Sequence, residues 1–333
     1  IVRMSAEDEE RHQVFRGPAQ ASKRWRLCVV LPNVSDRFWD EVALGIEEES
    51  ARLGVTSIIY EATGYSDAGI TQQERILLQR CGTAQIDAIL LSAVTRTGLH
   101  KAIKILRDKN IRVIDFINGY EPQHVDARSL LDNYYLGKMA GTEVKRYLAA
   151  HVKKQTPNVL WVPGPEGPLA PDWAQRGDEG FRAAMSGTGA QIKTLYFRPH
   201  FREQHRDLRR HLQDGKDYDF IIGTGSTSTA IYQLKKEGIV RRDMPVFAYY
   251  ATPDALTLLA KNQIIGTISN EPKMQGRMGV ALAVGILEKM PMPFQIGPEP
   301  VLLTPPLISE PDSTPASTSE PASTSEPTAS IAD

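Results

Sequence analysis

The sequence predicts an α/β protein with two Rossmann-like lobes, each built on a parallel sheet. The chain has 333 residues, which is more than one typical domain and enough to bury two sizeable cores. The apolar run from Leu27 to Leu31, ended by Pro32, is typical of a strand buried on both faces of a sheet. Strand and helix patterns then alternate with short connections, which favours parallel strands joined by right-handed crossovers.

The first run of elements starts with that strand. Ser35 or Asp36 can cap the helix that follows, Trp39 lies in its first turn, and Gly54 ends it. The other elements expected in this run are strands over 55–62, 86–93 and 112–118 and helices over 70–81 and 98–110.

A second run begins after Leu131. It is expected to contain strands over 158–164, 191–197, 219–225 and 244–250 and helices over 134–152, 173–185, 202–214 and 228–238. Two such runs predict two lobes. The last elements are helices over 252–261 and 273–289, a strand over 264–270 and an extended piece over 298–305. They fit either lobe, so the chain would cross between the lobes more than once.

The two ends of the chain differ in composition from the rest. Residues 1–22 are mostly polar and charged and predict an extended arm with no core of its own. The start lacks an initiator Met and the apolar core of a signal peptide, which indicates a processed or trimmed protein. Residues 308–333 contain mainly Ser, Thr, Pro, Ala and Glu. They predict a disordered tail, because so little apolar area can be buried.

Composition excludes several classes of partner. A net charge of -1, from 39 basic and 40 acidic side chains, gives no electrostatic footprint for nucleic acid or an anionic membrane. No apolar run approaches the roughly 20 residues that cross a bilayer, so no membrane insertion is expected. Cys28 and Cys81 are predicted to be two buried thiols, or a disulfide if the protein is exported, because the elements that carry them could be neighbours.

No motif in the sequence demands a catalyst. The patterns GxSxG, HExxH and SxxK do not occur. GTGST over 223–227 lacks the third glycine of a dinucleotide loop and the lysine of a Walker loop, so it predicts a plain turn. His200, His205 and His211 are spaced five and six residues apart, which does not place them on one helix face. We therefore expect no enzyme activity, no cofactor and no metal.

Aromatic residues recur where predicted strands end. Phe38 and Trp39 follow the first strand, Tyr65 follows the second, Tyr134 opens a helix, and Tyr250 ends the last strand of the second run. The carboxyl ends of the strands are where open α/β sheets bind ligands. Any one of these side chains can belong to the core. Several of them converging on one edge favour a cage, because aromatic faces attract quaternary or polarised methylammonium groups.

Short segments of the chain resemble a known family. LDNYYLGKMAG (131–141) and FAYYATPDAL (247–256) resemble the ribose-binding-protein class of periplasmic receptors, whose fold is shared with the effector domains of LacI-type repressors. QASKRWRLC (20–28), SDRFW (35–39) and EGFRAAM (179–185) resemble more closely the TorT-type receptors. These are periplasmic trimethylamine N-oxide receptors that work with the sensor histidine kinase TorS.

The resemblance runs from about 14 to 305 and implies a type I periplasmic binding protein with a three-crossover hinge. It implies a first lobe of 23–130 plus 252–288 and a second lobe of 131–251 plus 289–305, with the ligand held between them. The ligand-binding residues expected are Asp36, Phe38, Trp39, Tyr65, Asn118, Asn133, Tyr134, Thr224, Tyr250 and Asn270.

Two of these positions argue against a sugar, because they lack the charged clamp of sugar receptors, and two others differ from the TorT-type pattern. Asn118 and Tyr250 fall where sugar receptors carry charged residues that grip the ligand, and Asn270 falls where ribose receptors have Gln and TorT-type receptors have Asp. Asn133 departs from the TorT-type pattern, in which a Trp stands, and matches the Asp-Asn hinge of sugar receptors instead.

The resemblance implies a periplasmic, non-enzymatic sensor. We expect it to bind a small methylated amine or amine oxide and to signal to the periplasmic domain of a TorS-like sensor histidine kinase. The alternative is a solute-binding protein of an ABC transporter for a sugar or another small polar solute. A LacI-like repressor would need an N-terminal helix-turn-helix, and residues 1–22 are too short and too acidic for one.

Overall fold

The structure is a computed structural model that describes residues 2–4, 11–13, 15–32, 37–83, 85–167, 170–213, 215 and 217–305. Within these residues the chain forms two six-stranded, mostly parallel sheets, flanked by helices, and one antiparallel pair of strands. The predicted α/β class with two lobes is confirmed. The first lobe is built on the sheet that contains Arg26–Pro32, and the second lobe on the sheet that contains Asn158–Val162.

The strands, in chain order, are β1 Val2–Met4, β2 Arg11–Gln13, β3 Arg26–Pro32, β4 Thr56–Ala62, β5 Ala88–Leu91, β6 Arg112–Phe116, β7 Ala127–Ser129, β8 Asn158–Val162, β9 Gln191–Thr194, β10 Phe220–Gly223, β11 Val246–Ala248, β12 Gly266–Ser269, β13 Gln295–Ile296 and β14 Val301–Leu303. The helices are α1 Phe38–Leu53, α2 Asp67–Ile76, α3 His100–Asp108, α4 Asn133–His151, α5 Asp172–Met185, α6 Phe201–Leu212, α7 Gly225–Lys236, α8 Pro253–Ala260 and α9 Pro272–Leu287. A π-helical turn, Leu77–Cys81, continues α2, and a 3-10 turn spans Pro122–His124.

The order of the strands gives the path of the chain. The first sheet has the order β13-β7-β6-β5-β3-β4, and the second has the order β14-β12-β11-β10-β8-β9. Only β14 runs antiparallel to its neighbour among the described strands of these two sheets. The chain therefore crosses between the lobes near 130–132, 270–271 and 297–300, which confirms the three-crossover hinge.

Two boundaries of the expected lobes were wrong. Residues 252–288 were expected in the first lobe, but β12 pairs with β11 in the second sheet and α8 packs against α7 and β12. Residues 252–269 thus complete the second lobe, because a short crossover helix usually joins neighbouring parallel strands. Residues 289–305 were expected in the second lobe, but β13 pairs with β7, so the return to the second lobe follows Ile296.

The core of the first lobe lies on both faces of its sheet. Along β3, Leu27, Val29 and Leu31 pack on the side of α1 and α9, whereas Cys28 and Val30 pack on the opposite side with Leu77 and α3 residues. This alternation is what a fully buried parallel strand requires.

Cys28 and Cys81 form a disulfide between β3 and the π-helical turn, with their Cα atoms 5.7 Å apart. The prediction of two free buried thiols was therefore wrong, and the alternative of a bridge is correct. Strand β3 and the π-helical turn that continues α2 pack directly against each other, which brings the two Cα atoms within disulfide reach.

The described part of the N-terminal arm lies against the first lobe. Phe15 and Trp25 pack on the core between α1 and α9. The carboxylate of Glu288 accepts hydrogen bonds from the Trp25 indole at 2.6 Å and from the Ser22 backbone at 2.7 Å. The tail over 308–333 lies outside the described residues. Among the described helices, none combines the length and the apolar character needed to span a membrane.

Two pairs of helices pack at backbone distance. A Cβ atom on Gly45 of α1 would lie 2.0 Å from the Lys273 carbonyl oxygen of α9. A Cβ atom on Gly137 of α4 would lie 2.1 Å from the Gly177 carbonyl oxygen of α5. Each lobe thus holds two helices as one closely packed unit, α1 with α9 in the first lobe and α4 with α5 in the second.

Candidate ligand-binding site

A cavity of about 50 Å³ lies between the two lobes, where the carboxyl ends of the two sheets face each other. Its wall is made of side chains from both lobes and from the crossing segments. The lining residues are Phe38, Trp39, Tyr65, Ile117, Asn118, Leu131, Asn133, Leu136, Trp173, Pro199, Tyr249, Tyr250, Asn270 and Gln275. We call this space the interlobe cavity.

Five aromatic rings form a connected wall of the interlobe cavity. Phe38 and Trp39, at the start of α1, pack edge to face with ring centroids 5.0 Å apart. Phe38 contacts Tyr250 of the other lobe at 6.1 Å, and Trp173 lies 6.0 Å from both Tyr250 and Tyr65. All four contacts are edge to face, so the rings stand at steep angles to one another and enclose space instead of stacking.

Several polar groups of the wall are already engaged. The Asn118 amide donates to the Ala93 carbonyl at 2.8 Å, and the Tyr65 hydroxyl donates to the Asn118 side-chain oxygen at 3.2 Å. The Gln275 amide donates to the Asn270 backbone carbonyl at 2.6 Å. These bonds fix the wall and leave fewer groups for a ligand.

Other polar groups have no partner among the described residues. Trp25 and Trp161 donate their indole N–H groups to carboxylates, but those of Trp39 and Trp173 make no hydrogen bond with a described residue. The side-chain oxygen of Asn270 is buried and also lacks a described partner. Buried polar groups are normally paired, so these groups are candidates for ligand contacts.

Backbone strain accompanies two of the cavity asparagines. Ile117, which precedes Asn118, has φ +66°, and Glu271, which follows Asn270, has φ +49°. Positive φ is unusual for a β-branched residue and is held here by a bond from the Ile117 N–H to the Ser129 carbonyl at 2.9 Å. Strain of this kind concentrates at ligand clamps and switch regions.

The side chains that line the cavity are neutral, although the Asp172 carboxylate lies beside them and accepts a hydrogen bond from the Asn133 amide at 3.4 Å. None of the described lining residues is charged. Tyr249 is fully buried, and burial raises the pKa of its hydroxyl far above the usual value, so the hydroxyl stays neutral and donates to the Trp173 carbonyl at 3.3 Å. Away from the lining, burial raises the pKa of Asp115 to about 6, although Arg128 pairs with it at 2.9 Å.

Seven of the ten residues expected from the sequence line the cavity: Phe38, Trp39, Tyr65, Asn118, Asn133, Tyr250 and Asn270. Asp36 lies outside the described residues. Tyr134 and Thr224 do not line the cavity. Tyr134 is one residue beyond Asn133, a rotation of about 100° on the helix, and its ring packs under the Arg176 guanidinium. Thr224 caps α7, accepting a hydrogen bond from the Thr227 N–H.

The ligand-binding residues expected from the sequence did not include several lining residues, of which Trp173, an aromatic noted in a predicted loop, and Gln275 matter most. Trp173 lies in the first turn of α5, and Gln275 lies in the first turn of α9. An aromatic at a helix start after a strand was the signal that identified Phe38 and Trp39, and it applies equally to Trp173. Gln275 carries no comparable signal, since its role depends on the path of the second crossing.

Two facing α/β lobes with a ligand-sized cavity at the hinge define a two-lobed binding protein. A family model described as a periplasmic binding protein domain matches residues 27–290, and the chain belongs to this family. Periplasmic protein TorT of Escherichia coli (strain K12) is 26% identical over 291 residues, covering 86% of this chain and 80% of TorT. The ribose import binding protein RbsB of Haemophilus influenzae is 20% identical over 270 residues, covering 81% of this chain and 88% of RbsB.

Solved structures share the fold of most of the chain. An ABC transporter solute-binding protein from Bradyrhizobium sp. BTAi1, with bound bis-tris, has a TM-score of 0.74 and 28% identity, covering 91% of this chain and 89% of its own. TorT in complex with the TorS sensor domain in the presence of TMAO has a TM-score of 0.72 and 21% identity, covering 84% and 92%. These similar proteins are binding or sensor proteins, not enzymes.

Proposed function

We propose that the protein is a periplasmic receptor that binds a small methylated amine or amine oxide, similar to trimethylamine N-oxide, in the interlobe cavity. We propose further that it signals to the periplasmic domain of a TorS-like sensor histidine kinase. The observation that carries the proposal is the wall of five aromatic rings, contributed by both lobes, with no charged side chain among the described lining residues.

The chemistry of an N-oxide fits such a wall. Its methyl groups carry partial positive charge, and each contact with an aromatic face contributes about 0.5–2 kcal/mol once water is removed. Its oxygen carries the negative charge and needs a hydrogen-bond donor. The indole N–H groups of the buried Trp39 and the half-buried Trp173 belong to the cavity wall and make no hydrogen bond with a described residue, so they are the expected donors.

The size of the interlobe cavity also favours a small ligand. One water molecule needs about 10–15 Å³ of cavity volume. The interlobe cavity of about 50 Å³ therefore accommodates roughly four water-sized groups. Trimethylamine N-oxide has about five non-hydrogen atoms, whereas ribose has about ten and would require the lobes to move apart.

The position of the cavity between the lobes supports signalling. A ligand that contacts Trp39 of the first lobe and Tyr250 of the second stabilises the closed arrangement by its differential binding energy. A kinase that recognises the closed arrangement thereby responds to the presence of the ligand. The similarity to TorT supports this partner, and the Cys28–Cys81 disulfide supports an oxidising compartment such as the periplasm.

The second candidate is a solute-binding protein of an ABC transporter for a sugar or another small polar solute. The similarity to the Bradyrhizobium solute-binding protein favours it. The bis-tris bound there is a tertiary amine that carries hydroxyl groups, so an amine ligand is compatible with both candidates. Deletion of a partner gene separates them: loss of the response on deleting a sensor kinase supports signalling, and loss on deleting a permease supports transport.

Calorimetry with trimethylamine N-oxide, glycine betaine and ribose tests the ligand. We expect the N-oxide to bind the wild type and to bind at least about tenfold more weakly to Trp39→Ala and Tyr250→Ala, since each removes an aromatic wall. Tyr134→Ala is the matched control, because this tyrosine lies outside the cavity. Ribose binding that survives both cavity substitutions would contradict the aromatic cage.

A further inference from the structure

The first turn of α5 touches the backbone of the opposite lobe. Gly119, in the loop after β6, faces Asp172, the first residue of α5. A Cβ atom on Gly119 would lie 2.2 Å from the Asp172 Cβ and 3.0 Å from its Cγ. Non-bonded carbon atoms normally stay about 3.5–4.0 Å apart, so any side chain at position 119 is incompatible with this approach.

The same turn makes further contacts across the cleft. The Arg96 guanidinium of the first lobe donates to the Gln175 side-chain oxygen at 2.8 Å, and the Tyr65 ring lies 6.0 Å from the Trp173 ring. The Gln175 amide donates in turn to the Gly167 carbonyl at 2.9 Å, which orients it toward Arg96. The first turn of α5 is therefore the part of the second lobe that meets the first lobe beside the cavity.

We propose that Gly119 and Asp172 form a steric stop that sets how far the lobes close over the ligand. Neither residue lines the interlobe cavity, but the Asp172 carboxylate accepts a hydrogen bond from the Asn133 amide of its wall at 3.4 Å, so Asp172→Gly is also measured alone. Because the bare backbone at 119 lets α5 approach, Trp173 reaches Tyr65 and completes the aromatic wall. Any larger residue at 119 holds the lobes apart and leaves that wall open. This steric stop goes beyond the proposed function, because it limits closure in the same way for any ligand that brings the lobes together.

A control variant separates this stop from simple backbone strain. Gly119 has φ +82°, which strains any other residue there regardless of space. Gly98, in the same lobe, has φ +102°, but the nearest atom to its added Cβ is Thr95 Cγ2 at 3.8 Å. Gly98→Ala thus introduces comparable strain without an interlobe clash. Asp172→Gly removes the opposing Cβ and should compensate for Gly119→Ala.

The test measures the distance between the lobes by single-molecule energy transfer. Dyes are attached through Lys104→Cys on α3 and Arg206→Cys on α6, whose side chains are 74% and 65% exposed. Each variant is measured alone and with saturating trimethylamine N-oxide, bis-tris or ribose, and circular dichroism checks that each is folded.

We expect a short-distance population in the wild type, Gly98→Ala and Asp172→Gly. It should fall at least tenfold in Gly119→Ala and return in Gly119→Ala/Asp172→Gly. Wild-type closure in Gly119→Ala would overturn the stop, as would a double variant that stays open while Asp172→Gly closes. A wild type that never populates the short distance would also overturn it. Closure with ribose but not with the N-oxide would refute the proposed ligand alone and would leave the comparison of variants intact.

Discussion

At the scale of single residues, burial disfavours the charged form of the Asp115 carboxylate in the first lobe. One oxygen accepts a hydrogen bond from Arg128 Nε at 2.9 Å, and the other has no partner among the described residues. Desolvation outweighs the attraction of Arg128, and the pKa of Asp115 rises to about 6. The folded protein therefore binds this proton more tightly than the unfolded chain does.

The sign of the resulting pH dependence follows from linkage. The stabilisation from the protonated carboxyl is fully present below about pH 4 and is lost as pH rises through about 6. Relative to Asp115→Asn, the wild type should lose stability between pH 4 and pH 7, by at most about 3 kcal/mol. Urea unfolding of both proteins across this range measures the difference. The exposed Asp108→Asn is the control, and a wild-type-minus-Asp115→Asn difference that does not change with pH would contradict the assignment.

The cavity residues differ in how far the sequence alone could predict them. Phe38, Trp39 and Tyr65 were predictable because each follows a strand at the edge where parallel sheets bind ligands. The engagement of the Asn118 amide by Ala93 was not predictable, because it depends on the exact path of two loops. For the same reason the sequence does not reveal that the indole N–H groups of Trp39 and Trp173 are left without a described partner.

At the scale of elements, the cavity is held by two closely packed helix pairs. α1 carries Phe38 and Trp39 and packs against α9, which carries Gln275. α4 carries Asn133 and packs against α5, which carries Trp173. Each pair brings two walls of the cavity together as one rigid unit, so the lobes can move relative to each other while each half of the wall keeps its geometry.

Gly45→Ala tests the first of these units. In a helix interior the change would by itself stabilise the protein by about 1 kcal/mol. The added Cβ would lie 2.0 Å from the Lys273 carbonyl oxygen, and forcing the helices apart costs about 1–3 kcal/mol or more. Because the clashing atom belongs to the backbone, we expect the upper end of this cost, about 3 kcal/mol, and hence a net loss of about 2 kcal/mol in urea unfolding, together with weaker ligand binding.

Glu47→Ala, at an exposed position of the same helix, is the matched control and should change stability by less than about 0.5 kcal/mol. A Gly45→Ala variant as stable as this control would mean that α1 and α9 can separate without cost. The fixed positions of the cavity residues on these two helices would then need another explanation.

At the scale of the whole molecule, the number of lobes and crossings was predictable, but their boundaries were not. Alternating strand and helix patterns identify the elements, and the resemblance to periplasmic receptors implies three crossings. The sequence pattern does not predict which sheet β12 joins, because an apolar strand can pair equally well with the edge of either sheet. The pairing of Phe247 with Gly266 decides it. Likewise, β13 has only two residues, Gln295 and Ile296, which is too short for a recognisable strand pattern.

The central claim is that aromatic rings of both lobes enclose the methyl groups of the ligand, and nuclear magnetic resonance tests it most directly. Trimethylamine N-oxide bound to the wild type should show a methyl resonance shifted upfield by the surrounding rings. Its methyl protons should show Overhauser contacts to ring protons of Trp39 in the first lobe and Tyr250 in the second. An unshifted methyl resonance, or contacts to rings of only one lobe at full saturation, would contradict the account.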